Sequence, residues 1–440
     1  MTRRLLTLGM MLCLALSAAH AQMKKLDFER YKLDNGLTVL LHDNKTAPIV
    51  TVNVFYHVGA KNEAPGRSGF AHFFEHLMFE GSENIDRGEF DKYLAGVGGS
   101  NNATTDFDRT LYFETVPSNE LGLALWMESE RMLHAKVDIK GVETQREVVK
   151  EERRLRYDNQ PYGTFLEEVV ARLFEGSPYA ITPIGTMEDL DAAEEEDFTT
   201  FYKDFYRPDN AVLSIVGDLD IPETKKMVEK YFASIPSPKT PIYRPKLNIK
   251  PITAEVIDTV YDNIQLPALI TAYQAPAQYS DDYYAIEMMN NILASGQSSR
   301  IYKSLVDDKK LALQAASIQL ALESSGMNVV FGIANMGASL DDMGAAMDAE
   351  VERIQSELIS EREFQKIRNQ VESNFVYNFA SNSGIASSLA TYEAYQGDAN
   401  LINTEIEKYL AVTKEDIKRV ANKYLKKDNR VVLYWLPKAN

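Results

Sequence analysis

The chain has 440 residues, of which 45% are hydrophobic and 25% charged, so it can form two or three globular domains with sizeable cores. Its formal charge of −17 argues against nucleic acid or an anionic membrane as its main partner. The single cysteine is Cys13, so we expect neither a disulfide nor a thiolate metal ligand in the rest of the chain.

The first 21 residues have the pattern of a secretory signal peptide. Arg3 and Arg4 form a charged start, residues 5–16 are predominantly apolar, and Ala19-His20-Ala21 matches a cleavage site. The apolar run is shorter than the roughly 20 residues that span a bilayer, and no later stretch is long and apolar enough to do so. We therefore predict that residues 1–21 are removed on secretion and that no membrane span remains.

In the next part of the chain, two predicted strands flank two predicted helices. Residues 51–58 alternate between apolar and polar side chains, as a strand with one buried face does, and residues 110–116 form a second strand. Residues 68–79 and 86–94 are predicted helices, and Ser68 is the expected N-cap of the first one. This order predicts an α+β fold in which helices pack on one face of a sheet.

The two halves of the chain end alike, which indicates an internal repeat. Residues 196–210 and 415–429 are each predicted to form a helix that ends in an Asp-Asn turn. Each segment leads without a gap into an apolar strand, residues 211–216 in one case and 430–435 in the other. A repeat this long, separated by half the chain, predicts two homologous domains.

A proline-rich stretch separates the two halves. Residues 235–245 contain four prolines and no clear periodicity, which is typical of a linker. We therefore predict a first domain over residues 22–234, a linker over residues 235–247 and a homologous second domain over residues 248–440.

The sequence His72-Phe73-Phe74-Glu75-His76 lies within the first predicted helix. His72 and His76 are four residues apart and share a helix face, so their imidazoles can bind one Zn²⁺. Glu75 points toward the same face, where its carboxylate can act as general base on a metal-activated water. This pattern is the inverted zinc-peptidase motif, and the alternative is a pair of ordinary helix histidines.

A catalytic zinc needs a third protein ligand and one open position, and the composition leaves a carboxylate for that ligand. The predicted helix over residues 143–156 offers several glutamates, of which Glu152 lies on the apolar stripe. The stripe runs through Val142, Gln145, Val149 and Glu152, with Val148 and Leu155 expected at its border. Glu147 and Glu151 lie outside it. The alternative for Glu152 is a salt bridge to an arginine.

Four segments together resemble the pitrilysin family of zinc metallopeptidases, which are inverzincins. They are the histidine motif and residues 98–106, 146–153 and 210–218, and the resemblance covers essentially the whole chain after residue 21. Within the family, the chain most resembles the branch with two-domain subunits similar to mitochondrial processing peptidase. The resemblance implies two related domains, each with a mainly antiparallel sheet, and a zinc-dependent endopeptidase that encloses its peptide between four such domains.

The resemblance also implies how a peptide binds. Family members hold the substrate in extended form, as an added strand at a sheet edge. The matching residues are Asn102 and Ala103, followed by Thr104, and Asn102 is expected to hold the substrate backbone near the scissile bond. The alternative for residues 98–103 is a plain polar loop.

Two departures from the family pattern bear on activity. Gln145 stands where the family has a glutamate that supports the metal site, and an amide can orient neighbours but cannot act as a base. In the second half, Val306 and Leu313 replace an Arg and a Tyr, in a stretch like L-R-E-x-x-G-L-A-Y, that stabilise the substrate carbonyl. We therefore expect a companion subunit to supply that pair, with this chain as the catalytic subunit of a heterodimer.

The resemblance and the signal segment together imply a secreted enzyme of a bacterial periplasm, with one zinc per chain. The alternative function is a non-catalytic peptide-binding or assembly subunit of the same fold, since some relatives have that role. A purely structural zinc is the other alternative, although such sites usually have four protein ligands and the sequence offers three.

Overall fold

The computed structural model describes residues 25–439, so the predicted signal segment lies outside the described residues. In the first domain the strands and helices are β1 (Glu29–Lys32), β2 (Thr38–Asp43), β3 (Ile49–Tyr56), α1 (Phe70–Leu77), α2 (Phe90–Gly96), β4 (Ser100–Thr105), β5 (Thr110–Pro117), α3 (Leu121–His134), α4 (Ile139–Arg153), α5 (Phe165–Leu173), α6 (Met187–Asp191), α7 (Glu195–Phe205), β6 (Ala211–Gly217) and α8 (Ile221–Phe232). In the second domain they are β7 (Val256–Asp262), β8 (Ala268–Ala275), α9 (Tyr283–Ala294), α10 (Arg300–Tyr302), β9 (Ala312–Ala321), β10 (Gly326–Ala334), α11 (Leu340–Ser356), α12 (Glu361–Asn378), α13 (Asn382–Gln396), α14 (Leu401–Ala411), α15 (Lys414–Tyr424) and β11 (Arg430–Pro437).

Each domain contains one sheet, and the two sheets have the same strand order. The first runs β1-β2-β6-β3-β5-β4 and the second β7-β11-β8-β10-β9, so the second matches the first without β1. Each sheet has one parallel pair of strands, which is β2 with β6 in the first sheet and β7 with β11 in the second. All other neighbouring strands are antiparallel. The predicted α+β fold of two homologous domains with mainly antiparallel sheets is confirmed.

The sequence repeat corresponds to a repeated structural unit. Helices α7 and α15 each begin with a capping box, Glu194 with Asp197 and Thr413 with Asp416. Each helix is followed by a short 3₁₀ turn that ends in asparagine, and then by the strand β6 or β11, which lies in the interior of its sheet. Every residue of β6 is buried, which explains why its sequence is apolar except for Ser214 rather than alternating.

The two faces of each sheet are covered by different domains. Helices of the same domain pack on one face and form the main core of that domain. On the other face of the first sheet lies α13 of the second domain, where Ile385 and Leu389 belong to one hydrophobic cluster with Phe55. On the other face of the second sheet lies α5 of the first domain, where Val169 and Val170 belong to one cluster with the strands. The domains therefore exchange one covering helix each.

The chain between α8 and β7 contains no helix or strand, and the segment predicted as a linker lies within it. It is nevertheless fixed to the first domain, because Arg244 donates hydrogen bonds to the backbone oxygen of His57 and to the side chain of Asn210. None of the helices between residues 25 and 439 has both the length and the hydropathy of a bilayer-crossing segment.

Candidate metal centre

Helix α1 carries the histidine motif and begins at Phe70, one residue after Gly69. Gly69 has φ of +85°, and an added Cβ would lie 2.8 Å from the backbone oxygen of Ile184, so glycine is required there. The prediction that Ser68 caps this helix is wrong, because the helix starts too late for its hydroxyl to serve the first turn. The Glu63 carboxylate instead accepts hydrogen bonds from two backbone N–H groups at the helix start, at 3.0 and 2.8 Å.

Three predicted ligands lie together where α1 meets the end of α4. Glu152 Oε2 is 3.7 Å from His72 Nε2 and 3.3 Å from His76 Nε2, and one ligand atom of each residue lies within 4.8 Å of the others. Neighbouring ligand atoms in a tetrahedral zinc site are roughly 3.4 Å apart, so one ion fits. Within residues 25–439 no second group of histidines and acids has this arrangement.

The electrostatic environment favours the metal-binding forms of His72 and Glu152. Burial and the adjacent His76 lower the pKa of His72 to about 4, so its imidazole is neutral at pH 7. The hydrogen bond with His76 lowers the pKa of Glu152, which keeps its carboxylate ionised. Two histidines and one carboxylate form a donor set typical of zinc hydrolases, so the residues present fit this ion.

Glu152 also pairs with an arginine, as the alternative interpretation of this residue anticipated. Arg156 Nη1 lies 2.8 Å from Glu152 Oε1, whereas Oε2 faces the two histidines. The salt bridge therefore uses the oxygen that points away from the proposed metal. Sequence analysis did not identify Arg156, although its spacing of four residues from Glu152 on a helix was a usable signal.

Glu75 is 9% exposed and lies beside the three proposed ligands. Burial raises the pKa of this carboxyl group, while a hydrogen bond from the Thr105 hydroxyl to Oε2, 2.5 Å long, opposes the increase. A carboxylate with a raised pKa accepts a proton more readily than an exposed one, as a general base requires. Thr105 ends β4, and nothing in its sequence context indicated this contact.

A cavity of about 800 Å³ opens in front of these residues. The three proposed ligands, Glu75 and Gln145 line it, together with β4 and one residue of the second domain, Leu320. Among the described residues, strand β4 is the edge of its sheet and pairs with β5 alone. One backbone edge of a strand is therefore available next to the metal centre.

Asn102 and Ala103 lie in the middle of β4. The alternative of a polar loop for residues 98–103 therefore applies to Gly98 and Gly99 alone, because residues 100–103 form a strand. Asn102 Oδ1 accepts a hydrogen bond from the backbone N–H of Ala103, at 3.0 Å. This N–H is thus bonded to a side chain that an incoming peptide carbonyl can replace.

The apolar stripe of α4 is narrower than predicted. Val142 and Val149 are fully buried, and Gln145 lies between them beside His76. The expectation that Val148 and Leu155 border the stripe is wrong, since they are 45% and 57% exposed. For Leu155 the reason is a π-helical turn at residues 154–158, which ends the regular helical phase after Arg153.

The two positions that replace the family Arg and Tyr carry no hydrogen-bond donor in their side chains. Val306 packs against the core of the second domain, and Leu313 lies on the edge strand β9 with 56% of its surface exposed. Neither lines the cavity in front of the metal centre. This chain alone therefore places no Arg and Tyr of the family type at these positions.

Two family descriptions match the chain. The one described as insulinase (peptidase family M16) matches residues 38–186, which include the three proposed ligands and Glu75. The one described as peptidase M16 inactive domain matches residues 192–371.

Individual relatives match over nearly the whole length. Zinc protease PqqE of Helicobacter pylori is 31% identical over 446 aligned residues, which cover 99% of each chain. Mitochondrial-processing peptidase subunit beta of Lentinula edodes is 25% identical over 89% of this chain and 86% of that protein. The crystal structure of a protease from Helicobacter pylori matches with a TM-score of 0.90 and 30% identity, covering 94% of this chain and 100% of that one. These matches confirm the resemblance seen in the motifs: the chain belongs to the pitrilysin family, peptidase family M16.

Proposed function

We propose that this chain is a zinc-dependent endopeptidase or oligopeptidase, with His72, His76 and Glu152 as the ligands of one zinc ion. The observation that carries the proposal is the convergence of these three ligand atoms within 4.8 Å, beside a buried carboxylate and a free strand edge. The naming of relatives as zinc proteases supports the same activity. Zinc in such a site polarises the scissile carbonyl and makes a water molecule more acidic.

Glu75 is the proposed general base. Its carboxylate takes the proton from the attacking water and delivers it to the leaving amine, so that one residue serves both steps. Thr105 occupies Oε2 of this carboxylate with a hydrogen bond, which directs Oε1 toward the reaction. Burial of Glu75 raises its pKa, which strengthens it as a base toward water.

The substrate is proposed to bind as an extended strand along β4. Asn102 and Ala103 would bond its backbone, once the Asn102 side chain releases the Ala103 N–H. Recognition of backbone groups is independent of sequence, and a cavity of about 800 Å³ accommodates several side chains. A broad range of peptides is the expected substrate class.

We further propose that a companion subunit completes the active site. Val306 and Leu313 cannot stabilise a developing oxyanion, and neither residue reaches the cavity. A subunit of the same family that has the Arg and Tyr but lacks the zinc motif would supply them in a heterodimer. Copurification of an active particle that contains only identical copies of this chain would contradict this part of the proposal.

The proposed setting is a bacterial periplasm, after removal of residues 1–21. The support is the charged, apolar and small-residue pattern of that segment. N-terminal sequencing of protein isolated from a periplasmic fraction tests it, and a chain that still begins at Met1 would contradict it.

A non-catalytic peptide-binding or assembly subunit is the second candidate, favoured by the missing Arg and Tyr. The match to an inactive-domain description does not by itself support it, because that match starts at residue 192, after all the proposed ligands. The chain has all three proposed ligands and Glu75, as a catalytic subunit requires, and this favours the catalytic candidate.

The deciding experiment is cleavage of a mixed peptide pool by the zinc-loaded chain, with the Glu75→Gln variant as blank. We expect the variant to retain zinc and to lose about 10²–10⁴-fold in turnover, since glutamine cannot accept the proton. The chain is assayed alone and with subunits that copurify from its source. Stoichiometric zinc without cleavage under both conditions would favour the non-catalytic candidate.

A further inference from the structure

A row of polar contacts runs from His76 to the start of helix α4. Gln145 Oε1 lies 3.3 Å from His76 Nδ1, and Gln145 Nε2 donates to Glu80 Oε1 at 2.5 Å. Glu80 Oε2 forms an ion pair with Arg87 Nε at 2.5 Å, and Arg87 Nη2 donates to Asp138 at 2.7 Å. Asp138 is the N-cap of α4, so the row ends on a fixed element.

The direction of each hydrogen bond follows from which groups can donate. Glu80 is 6% exposed and pairs with Arg87, so its carboxylate accepts and the NH₂ group of Gln145 faces it. The amide oxygen of Gln145 then faces His76 and requires a proton on Nδ1. With zinc bound, the lone pair of His76 is therefore on Nε2, the atom that lies 3.3 Å from Glu152 Oε2 in the metal centre.

We propose that Glu80, acting through Gln145, fixes the tautomer and orientation of His76 and thereby sets the affinity of the site for zinc. Glu80 and Gln145 are positioning residues in this arrangement. The family has a carboxylate at position 145, next to the histidine. In this chain the carboxylate is that of Glu80, and the amide of Gln145 lies between it and His76. This inference rests on the proposed zinc site and explains the departure at Gln145.

The identity of residue 145 is matched to that of residue 80. A glutamate at 145 would place two carboxylates about 2.5 Å apart, where both cannot remain ionised without a large cost. A glutamine at 145 removes this repulsion and provides the donor that Glu80 needs. Arg87 balances the one remaining negative charge.

Zinc affinity, measured by competition with a chromophoric chelator, tests the proposal. Glu80→Gln is expected to weaken zinc binding about 10–100-fold, because Gln145 can then turn either way and His76 loses its fixed tautomer. The double variant Glu80→Gln with Gln145→Glu returns a carboxylate to His76 directly and is expected to bind zinc with close to wild-type affinity. Glu83→Gln is the matched control, since Glu83 lies in the same loop but is 72% exposed and pairs with His134.

Two results would overturn the proposal. One is wild-type zinc affinity in Glu80→Gln. The other is weakened zinc binding in Glu80→Gln that the double variant does not restore. That result would mean that altered packing causes the loss of affinity. A second readout is the ¹⁵N spectrum of histidine-labelled, zinc-loaded protein, where the Nδ1–H of His76 should be protected from exchange with water in the wild type and should exchange faster in Glu80→Gln.

The zinc measurement is independent of hydrolysis. A chain that binds zinc with the expected variant pattern but cleaves no peptide would contradict the proposed function and support this inference. If the chain cleaves peptides and Glu80→Gln binds zinc as tightly as the wild type, the proposed function is supported and this inference is contradicted.

Discussion

Thr105, the last residue of β4, donates its hydroxyl hydrogen to the Glu75 carboxylate across 2.5 Å. The proposed general base and the strand edge that would hold the peptide are thus joined by one hydrogen bond. Movement of the edge strand when a peptide binds would be transmitted directly to Glu75.

Replacement of Thr105 by valine tests this coupling. Thr105→Val keeps the shape of the side chain but removes the donor, and hydrogen bonds to charged groups contribute about 1.5–3 kcal/mol. We expect kcat to fall roughly tenfold or more, with unchanged zinc content. Thr104→Val, the neighbouring substitution on the opposite face of β4, is the control and should leave kcat within about twofold. Equal kcat values in the two variants would contradict the coupling.

Glu152 and Glu151 are adjacent in sequence and provide a matched pair for the third ligand. Glu152→Gln should weaken zinc binding by more than about 100-fold, because loss of a ligand costs more than loss of an outer contact. Glu151→Gln should leave zinc affinity unchanged, since Glu151 is exposed and pairs with Arg154. Isothermal titration with zinc measures both. Tight stoichiometric zinc in Glu152→Gln would remove this residue from the ligand set.

Asn102 and Asn101 provide a similar pair for peptide binding. Asn102→Ala is expected to lower kcat/KM about five- to tenfold for peptides, since a hydrogen bond is worth about 1 kcal/mol. Asn101 bonds to Asp91 on α2 and points to the other face of β4, so Asn101→Ala should have a smaller effect. Steady-state kinetics on one peptide decides between them, and a larger loss for Asn101→Ala would reverse the assignment.

A partly buried ion pair between the domains predicts a defined pH dependence of stability. Although burial opposes it, the hydrogen bond with His57 and the charge on Lys61 lower the pKa of Glu323 to about 2. The unfolded value is about 4.3, so this stabilisation is complete above that pH and is lost as the pH falls toward 2. Glu323→Gln should lower the free energy of unfolding by about 1–3 kcal/mol at pH 7.

The difference between wild type and Glu323→Gln should therefore shrink below about pH 4.3. Urea unfolding at pH 7 and pH 3.5 measures it, with Glu175→Gln as a control because Glu175 is exposed. A difference that stays constant over this range would show that the charge of Glu323 does not stabilise the folded state.

The features that could be predicted from the sequence are those that depend on local spacing. The histidines of α1 and the inward position of Glu152 follow from helix periodicity, and the repeat of α7 and β6 follows from a gapless match. Ser68 failed as a cap because its hydroxyl is engaged by Asp189 and Thr186, more than 100 residues away, while Glu63 serves the helix start. No local pattern could show the contacts of Ser68 with Asp189 and Thr186.

The remaining features depend on contacts between distant segments. Glu80 is 65 residues from its partner Gln145, and the packing of α13 on the first sheet joins residues more than 300 apart in sequence. Glu80 and Gln145 are ordinary polar residues in the sequence, so neither spacing nor composition indicates that they are in contact. Only the folded chain brings Glu80, Gln145 and His76 into one row.

The exchange of α5 and α13 makes folding of the two halves interdependent. Each sheet would expose an apolar face if the other half were absent, so neither half is expected to be stable by itself. A chain cut between residues 235 and 247 should accordingly remain one particle. The two domains are therefore expected to fold together as one cooperative unit rather than one after the other.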